Sequence, residues 1–210
     1  MQKIVIFDMD GTLIDSKKDI TLSINAIREA HYSLEPLSES FVVDAINADV
    51  RNLPKLFYGT EGYEKKDQLA FEKHYTEQCT QNVFLYKGVL EMLHSLKEQD
   101  VKLGVATNAP TKFAKLMLDS LNVLDFFGLV VGADEVKKSK PNPEMLIKIL
   151  GFYNYNRERD SAWMVGDNSK DMQSAISANI KGLFATWGFT PQSEYKYIVA
   201  DPKEVVSIIL

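Results

Sequence analysis

The composition of this 210-residue chain is that of an ordinary globular protein, with 45% hydrophobic and 25% charged residues. Its net charge of −5 argues against a nucleic-acid partner, because a phosphate backbone needs a basic face. No apolar run is long enough to cross a membrane, and the lone cysteine, Cys79, excludes an internal disulfide. We therefore expect a cytoplasmic protein, monomeric or homodimeric, built as one large domain or as one domain with an insertion.

The chain starts with a short apolar run, residues 4–7, which predicts a strand buried on both faces. Asp8 and Asp10 follow directly, and Gly11 and Thr12 come next. Carboxylates at the end of a buried strand are costly unless their charge is used. Open α/β folds bind ligands at the carboxyl ends of parallel strands, so the pair marks a candidate site. The alternative is a strand end capped by a common Asp-Gly turn.

Residues 16–82 show helical periodicity and no convincing strand. Apolar residues recur at helical spacing, with Ile20, Ile24, Ile27 and Ala30 on one predicted face. The next face is formed by Phe41, Ala45 and Ile46, and two further helical segments run to about residue 78. Breaks fall at residues 35–36 and 59–62. The pattern predicts about four short helices that form a compact bundle or cap.

From residue 83 onward, predicted helices and strands alternate. The predicted strands are residues 101–106, 129–131, 162–167 and 182–186, and the helices between them are residues 89–99, 111–121, 143 onward and 171–178. This alternation indicates βαβ units and a mainly parallel sheet. We therefore predict a doubly wound α/β core, residues 1–15 and 83–210, with a helical cap of residues 16–82 inserted into it.

Polar side chains recur where the predicted strands of this core end. Thr107 and Asn108 close one strand, Lys140 precedes the third helix, and Asp167 and Asp171 follow the strand of residues 162–167. Each has an ordinary alternative, such as a helix cap, a solvated charge or a first-turn acid. Their order along the chain predicts instead that they converge on a single crevice with the first acid pair.

These motifs resemble those of the haloacid dehalogenase-like hydrolase superfamily, in its branch with a small helical cap. Residues 8–12 resemble its first motif, Thr107-Asn108 its second, Lys140-Pro141 its third, and residues 166–171 its fourth. The similarity covers essentially the whole chain and is greatest to phosphoglycolate phosphatases. It implies a phosphatase that acts on a small phosphorylated metabolite, with Mg²⁺ as cofactor.

The resemblance also implies roles for the acids. Asp8 would be the nucleophile that forms an aspartyl-phosphate. Asp10 would protonate the leaving alkoxide and then activate the hydrolytic water. The Asp8 carboxylate, the Asp10 backbone carbonyl and Asp167 would bind Mg²⁺, which suits an all-oxygen donor set. Asp171 would orient Lys140 or support the metal ligands.

The remaining motif residues would bind the phosphoryl group. Thr107 and the Asn108 backbone N–H would hold phosphoryl oxygens, and Lys140 would balance charge on the nucleophile and the phosphate. Gly11, with Thr12, would let backbone N–H groups approach the phosphate closely.

The cap is expected to select the leaving group. Lys17, Lys18 and Arg51 are the candidates to bind a second anionic group of the substrate, and ordinary surface charge is the alternative. Asn47-Ala48-Asp49, Ala109 and Asn179 depart from the phosphoglycolate phosphatase pattern. Asp49 could repel a carboxylate substrate, whereas Asn at position 179 tolerates the left-handed conformation that a helix end requires.

Other activities share parts of this pattern. A phosphomutase or a pyrophosphatase of the same fold would use the same aspartates. A carbon–halogen hydrolase is disfavoured, because halide departure needs no general acid such as Asp10. A phospho-accepting receiver module also combines acids, a threonine and a lysine around a parallel sheet, but it lacks the inserted helices.

Overall fold

The computed structural model describes residues 1–48, 52–190 and 195–210 of the chain. These residues form two compact units, a core unit of Met1–Asp15 and Phe84–Leu210 and a helical unit of Ser16–Val83. Among the described residues, no helix is both long and apolar enough to span a membrane.

The core unit is built on a six-stranded sheet. Its strands are β1 (Lys3–Phe7), β4 (Lys102–Ala106), β5 (Leu129–Val131), β6 (Ser161–Gly166), β7 (Lys181–Ala185) and β8 (Ile198–Val199). They lie in the order β5-β4-β1-β6-β7-β8, and each strand is parallel to its neighbours. A separate antiparallel pair joins β2 (Ile14–Asp15) to β3 (Phe84–Leu85).

Helices accompany the strands of the core unit. They are α5 (Val89–Glu98), α6 (Thr111–Ser120), α7 (Glu144–Phe152), α8 (Ser169–Ala178) and α9 (Pro202–Ile209). Helix α8 ends at Asn179, which takes the left-handed conformation at φ 60° as predicted. Alternate residues of a strand point to opposite faces, and all four of Ile4, Val5, Ile6 and Phe7 are fully buried. Both faces of the sheet are therefore covered.

The predicted fold class is confirmed, because the sheet is parallel and alternates with helices as a doubly wound fold requires. The predicted strands agree with β4 to β7 to within one residue at each end. Three two-residue strands, β2, β3 and β8, were not predicted, since so short a segment carries no periodicity. Helix α9 was also not predicted.

The helical unit contains α1 (Lys17–Tyr32), α2 (Glu39–Asn47), α3 (Leu53–Tyr58) and α4 (Lys65–Gln78). Its apolar core includes Ile24, Ile27, Val42, Ala45, Phe57 and Tyr58. Two details of the predicted faces are wrong. Ala30 is exposed, and Phe41 is 41% exposed while its neighbour Val42 is fully buried. Adjacent apolar residues make the periodicity ambiguous, and packing against α1 and α3 decides which one is buried.

A row of polar contacts lies between α1 and α4, where an apolar interface would be expected. Asp19 accepts hydrogen bonds from Gln78 and Asn82, Ser23 contacts the His74 ring at 2.9 Å, and Asp67 contacts His31 at 2.6 Å. The paired residues run in opposite directions along α1 and α4. A shift of one helix along the other would leave buried polar groups of this row without hydrogen-bond partners. The row therefore fixes the register of the two helices.

The Asp19 carboxylate is the most demanding member of this row, because it is fully buried and all of its partners are N–H donors. It accepts from Gln78 Nε2 at 2.8 Å, from Asn82 Nδ2 at 2.7 Å and from the Asn82 backbone N–H at 2.8 Å. Asp19→Asn places an amide donor against these donors. We expect it to reduce the free energy of unfolding by about 1–3 kcal/mol.

Urea denaturation of the full chain measures this loss. Asp44→Asn, at an exposed position of α2, is the matched control and should leave the unfolding free energy unchanged. An Asp19→Asn variant as stable as Asp44→Asn would contradict the assignment.

Candidate active site

Three neighbouring strands deliver polar residues to one edge of the sheet. Because β1 lies between β4 and β6, the carboxyl ends of the three strands bring Asp8, Thr107 and Asp167 close together. Asp171 lies in the first turn of α8, and Lys140 precedes α7. The structure therefore brings together the core residues that the sequence motifs singled out.

A buried lysine joins two of the acids. The Lys140 ammonium lies 2.5 Å from Asp8 Oδ1 and 2.7 Å from Asp171 Oδ1. Lys140 is 4% exposed, Asp8 is 8% exposed and Asp171 is 1% exposed. Water is thus largely excluded, and the three charges interact strongly in a low dielectric.

The protonation equilibria show that this cluster carries an excess of negative charge. Burial alone would lower the pKa of Lys140, but the Asp171 and Asp8 carboxylates outweigh it and raise that pKa above its ordinary value. Burial and the Asp8 charge raise the pKa of Asp171 to about 7, against the opposing effect of Lys140. Burial, Asp8 and Asp171 likewise raise the pKa of Asp167 well above its usual range. One ammonium group does not balance these carboxylates.

The donor set fits a hard divalent cation. Asp8, Asp167 and Asp171 each offer a carboxylate oxygen, and these oxygens lie within 4.8 Å of one another. Oxygen ligands are those that Mg²⁺ prefers. An added cation would relieve the repulsion from Asp8 and Asp171 that, after burial, raises the pKa of Asp167. Two of the three acids already accept hydrogen bonds on both oxygens. Asp171 accepts from the Lys140 ammonium at Oδ1 and from the Asn168 N–H at Oδ2, whereas both partners of Asp167 are uncharged donors.

The second acid of the first motif contacts the second motif. Asp10 is half-buried, and the Thr107 hydroxyl donates to its Oδ2 at 3.4 Å. Thr107 itself is 1% exposed and accepts a hydrogen bond from the Ala109 backbone N–H at 3.0 Å. Ala109 thus serves the site through its backbone, which any residue other than proline provides.

Gly11 occupies a position that admits no side chain. Its φ of +85° is in the left-handed region, and an added Cβ would lie 2.3 Å from Asp167 Oδ2. Thr12 is fully buried and its hydroxyl donates to Asp167 Oδ1 at 3.3 Å. The turn after β1 therefore packs directly on Asp167.

Two features of the site were not predicted. The Asn108 side chain exchanges two hydrogen bonds with the Lys140 backbone, each 3.1 Å long, and so anchors the lysine segment. Asn168 and Asp171 form a capping box at the start of α8. The Asn-x-x-Asp spacing could have indicated the capping box. The contact between Asn108 and Lys140 is a tertiary contact, so no sequence pattern indicates it.

The candidate cap residues are placed less completely. Lys17 begins α1 in the helical unit and is half-buried. Arg51 and Asp49 lie outside the described residues. Asn47 ends α2, and Ala48 follows it.

Comparison with known proteins agrees with the motifs. The profile of the family described as haloacid dehalogenase-like hydrolase matches residues 5–185. A phosphoglycolate phosphatase from Aquifex aeolicus (strain VF5) is 30% identical over 209 residues, which cover 99% of this chain and 96% of that protein. An N-acetylmuramic acid 6-phosphate phosphatase from Pseudomonas aeruginosa is 29% identical over 217 residues, covering 99% and 94% of the two chains.

Solved structures show the same fold. The crystal structure of a predicted phosphoglycolate phosphatase from Haemophilus somnus 129pt superposes with a TM-score of 0.84 at 26% identity, covering 100% of this chain and 98% of the other. A haloacid dehalogenase-like family hydrolase from Streptococcus pneumoniae, at 21% identity and a TM-score of 0.81, shares the fold. The predicted family and the prediction of a hydrolytic enzyme are thus confirmed. The chain belongs to the haloacid dehalogenase-like hydrolase family.

Proposed function

We propose that this protein is a Mg²⁺-dependent phosphatase that hydrolyses the phosphate monoester of a small metabolite through an aspartyl-phosphate on Asp8. The observation that carries the proposal is the buried Asp8 carboxylate, held 2.5 Å from the Lys140 ammonium beside Asp167 and Asp171. Attack by a carboxylate on a phosphate dianion requires charge neutralisation and positioning more than intrinsic nucleophilicity. This cluster supplies both.

Asp8 and Asp167, with the Asp10 backbone carbonyl, are the proposed ligands of Mg²⁺. Asp171 is proposed to support them through Lys140, whose ammonium lies 2.7 Å from its Oδ1, whereas both partners of Asp167 are uncharged donors. Mg²⁺ bound there supplies Lewis-acid stabilisation of charge on the transferred phosphoryl group. Lys140 balances the remaining charge on Asp8 and the phosphate.

In the first chemical step, an Asp8 oxygen bonds to phosphorus as the bond to the leaving oxygen breaks, and Asp10 gives its proton to that oxygen. In the second step, water attacks the phosphorus of the aspartyl-phosphate, the bond between phosphorus and the Asp8 oxygen breaks, and Asp10 takes a proton from that water. Asp8 is regenerated, and the products are an alcohol and inorganic phosphate. The Thr107 hydroxyl, 3.4 Å from Asp10 Oδ2, supports Asp10 and is proposed to hold a phosphoryl oxygen together with the Asn108 N–H.

For the substrate, we propose a phosphorylated carboxylic acid of small size. The relatives named above are phosphatases of phosphoglycolate and of N-acetylmuramic acid 6-phosphate, and both names denote phosphorylated acids. Lys17 and Arg51 are the candidates to bind the carboxylate, and Asp49 would disfavour it. Because the charges of Lys17 and Arg51 favour an acidic substrate and that of Asp49 disfavours it, the identity of the substrate is tested first.

Phosphate release tests the proposal with the purified full chain. The panel contains phosphoglycolate, N-acetylmuramic acid 6-phosphate, pyrophosphate, sugar phosphates, nucleoside monophosphates and p-nitrophenyl phosphate, with Mg²⁺ or with a chelator. We expect release that needs Mg²⁺ and is fastest with a phosphorylated acid. Absence of release from every compound, or full release in chelator, would overturn the proposal.

Asp10→Asn separates the proton-transfer role from the nucleophile. We expect a loss of about 10²–10⁴-fold on alkyl phosphates, the usual contribution of general acid catalysis. The loss on p-nitrophenyl phosphate should be much smaller, because p-nitrophenolate leaves without a proton. The ratio of kcat/KM between the two substrates is the measurement and provides its own control. Equal losses of kcat/KM on both substrates would contradict the role of Asp10 as the general acid of the first step.

A further inference from the structure

A loop that follows β7 contacts the proposed active site. This loop consists of Trp187, Gly188 and Phe189 and is here called the 187–189 loop. The Trp187 indole Nε1–H donates to the Thr12 carbonyl at 2.9 Å. The Phe189 backbone N–H donates to Asp167 Oδ2 at 2.8 Å. One short loop is thus bonded both to the first motif and to the fourth.

Gly188 brings the loop backbone into direct contact with the site. A Cβ built at Gly188 would lie 1.8 Å from the Gly11 carbonyl oxygen and 2.8 Å from Asp167 Oδ2. Both distances are far below van der Waals contact. The loop could not occupy this position with any larger residue, so its backbone has to shift if Gly188 is replaced.

The Asp167 carboxylate is therefore held from two directions. Its Oδ2 accepts from the Phe189 N–H and its Oδ1 accepts from the Thr12 hydroxyl at 3.3 Å. Asp167 is 2% exposed and lies in a cluster with Asp8 and Asp171, whose charges repel it. Without donors on both oxygens, rotation away from Asp8 would relieve this repulsion. The donors oppose that rotation.

We infer that the 187–189 loop is a positioning element that holds the Asp167 carboxylate and the Gly11–Thr12 turn in the arrangement that binds the divalent cation. This inference rests on the proposed function. Partners that orient a metal ligand through hydrogen bonds change metal affinity by about 10–100-fold when they are removed. The effect of the loop on the reaction passes through Asp167 and the turn, to which it is hydrogen-bonded.

Two variants test the inference. Gly188→Ala displaces the loop backbone from Gly11 and Asp167. Trp187→Phe retains an aromatic ring and removes the indole donor to Thr12 together with part of the ring volume. Gly151→Ala is the control for the first, since a Cβ at Gly151 meets nothing within 4 Å. Trp163→Phe is the control for the second, because Trp163 lies on β6 and its ring contacts the Lys181 ammonium.

The measurement is calorimetric titration of Mg²⁺ and of Mn²⁺ into the metal-free chain of 210 residues. We expect Kd to rise about 10–100-fold in Gly188→Ala and less in Trp187→Phe, with both controls at the native value. Phosphatase activity should need correspondingly more Mg²⁺, and saturating Mg²⁺ should restore most of kcat. If the loop only stabilised the fold, the two loop variants would have a lower Tm and an unchanged Kd for the cation.

The outcomes distinguish this inference from the proposed function. If native protein binds the cation and both loop variants bind it equally well, the inference is overturned and the proposed function stands. If native protein binds no divalent cation and releases no phosphate, the proposed function fails. Should Gly188→Ala not fold, the Kd of Trp187→Phe alone decides, and a native value there counts against the inference.

Discussion

Asp8→Asn is expected to abolish turnover and to leave the fold at least as stable as before. The change removes the proposed nucleophile, so kcat should fall by about 10⁴-fold or more on every phosphate ester. Stability should rise, because Asp8 is a charge that raises the pKa of both Asp167 and Asp171. Lys140 keeps its other partner, Asp171, at 2.7 Å.

Steady-state phosphate release and thermal unfolding at pH 8 without metal are the two measurements. Asp119→Asn, at an exposed position of α6, is the control and should change neither quantity. Near-native turnover in Asp8→Asn would exclude covalent catalysis by this residue. A large fall in Tm would show that the Asp8–Lys140 contact, and not repulsion among the carboxylates, dominates the energetics of the cluster.

The sequence was sufficient to predict the layout of the core unit. Its central strands are continuous apolar runs, such as residues 4–7, and each ends at a polar residue, so burial and boundary coincide. A parallel sheet then places these strand ends along one edge. The proximity of Asp8, Thr107 and Asp167 follows from that topology, although their distances do not. Lys140 lies nine residues after β5, and its position depends on the tertiary contact with Asn108.

The sequence was less informative where function depends on backbone or on buried polar groups. The Phe189 N–H and the Gly188 contact are backbone interactions, and no residue type encodes them directly. Asp19 and Ser23 read as solvent-facing positions of an amphipathic helix, yet both are fully buried. Hydrogen-bond partners on α4 and in the segment after it compensate for the loss of water around these two side chains. By contrast, Asp201-Pro202 is a helix-start signal, so α9 was predictable from sequence.

Lys140→Met is expected to destabilise the protein as well as inactivate it. The ammonium is 4% exposed and contacts Asp8 and Asp171, so its removal leaves buried carboxylates without a counter-charge. Loss of one partner from a buried ion pair costs about 3–5 kcal/mol. Lys140→Met and Asp8→Asn should therefore move stability in opposite directions, although both remove a charge from one cluster.

The pH dependence of this loss follows from the acids that remain. The pKa of Asp171 is already raised to about 7 with Lys140 in place. The Lys140 ammonium opposes this rise, so its removal should raise the pKa of Asp171 further. An acid whose folded-state pKa exceeds its unfolded value stabilises the fold below the unfolded pKa, and that contribution is lost as pH rises through the folded pKa. The deficit of Lys140→Met relative to native protein should thus be largest above pH 7 and should shrink towards pH 5.

Added Mg²⁺ should recover stability without recovering activity. A ligand that binds the folded state stabilises it by an amount that grows with its affinity, and a more negative cluster binds the cation more tightly. The rise in Tm on addition of Mg²⁺ at pH 8 should therefore be larger for Lys140→Met than for native protein. Phosphate release should stay low, because Mg²⁺ does not replace the ammonium beside Asp8.

Lys138→Met, at an exposed position of the same segment, should match native protein in both assays. Equal stability of Lys140→Met and native protein at pH 8 would show that these carboxylates do not need Lys140 as their counter-charge.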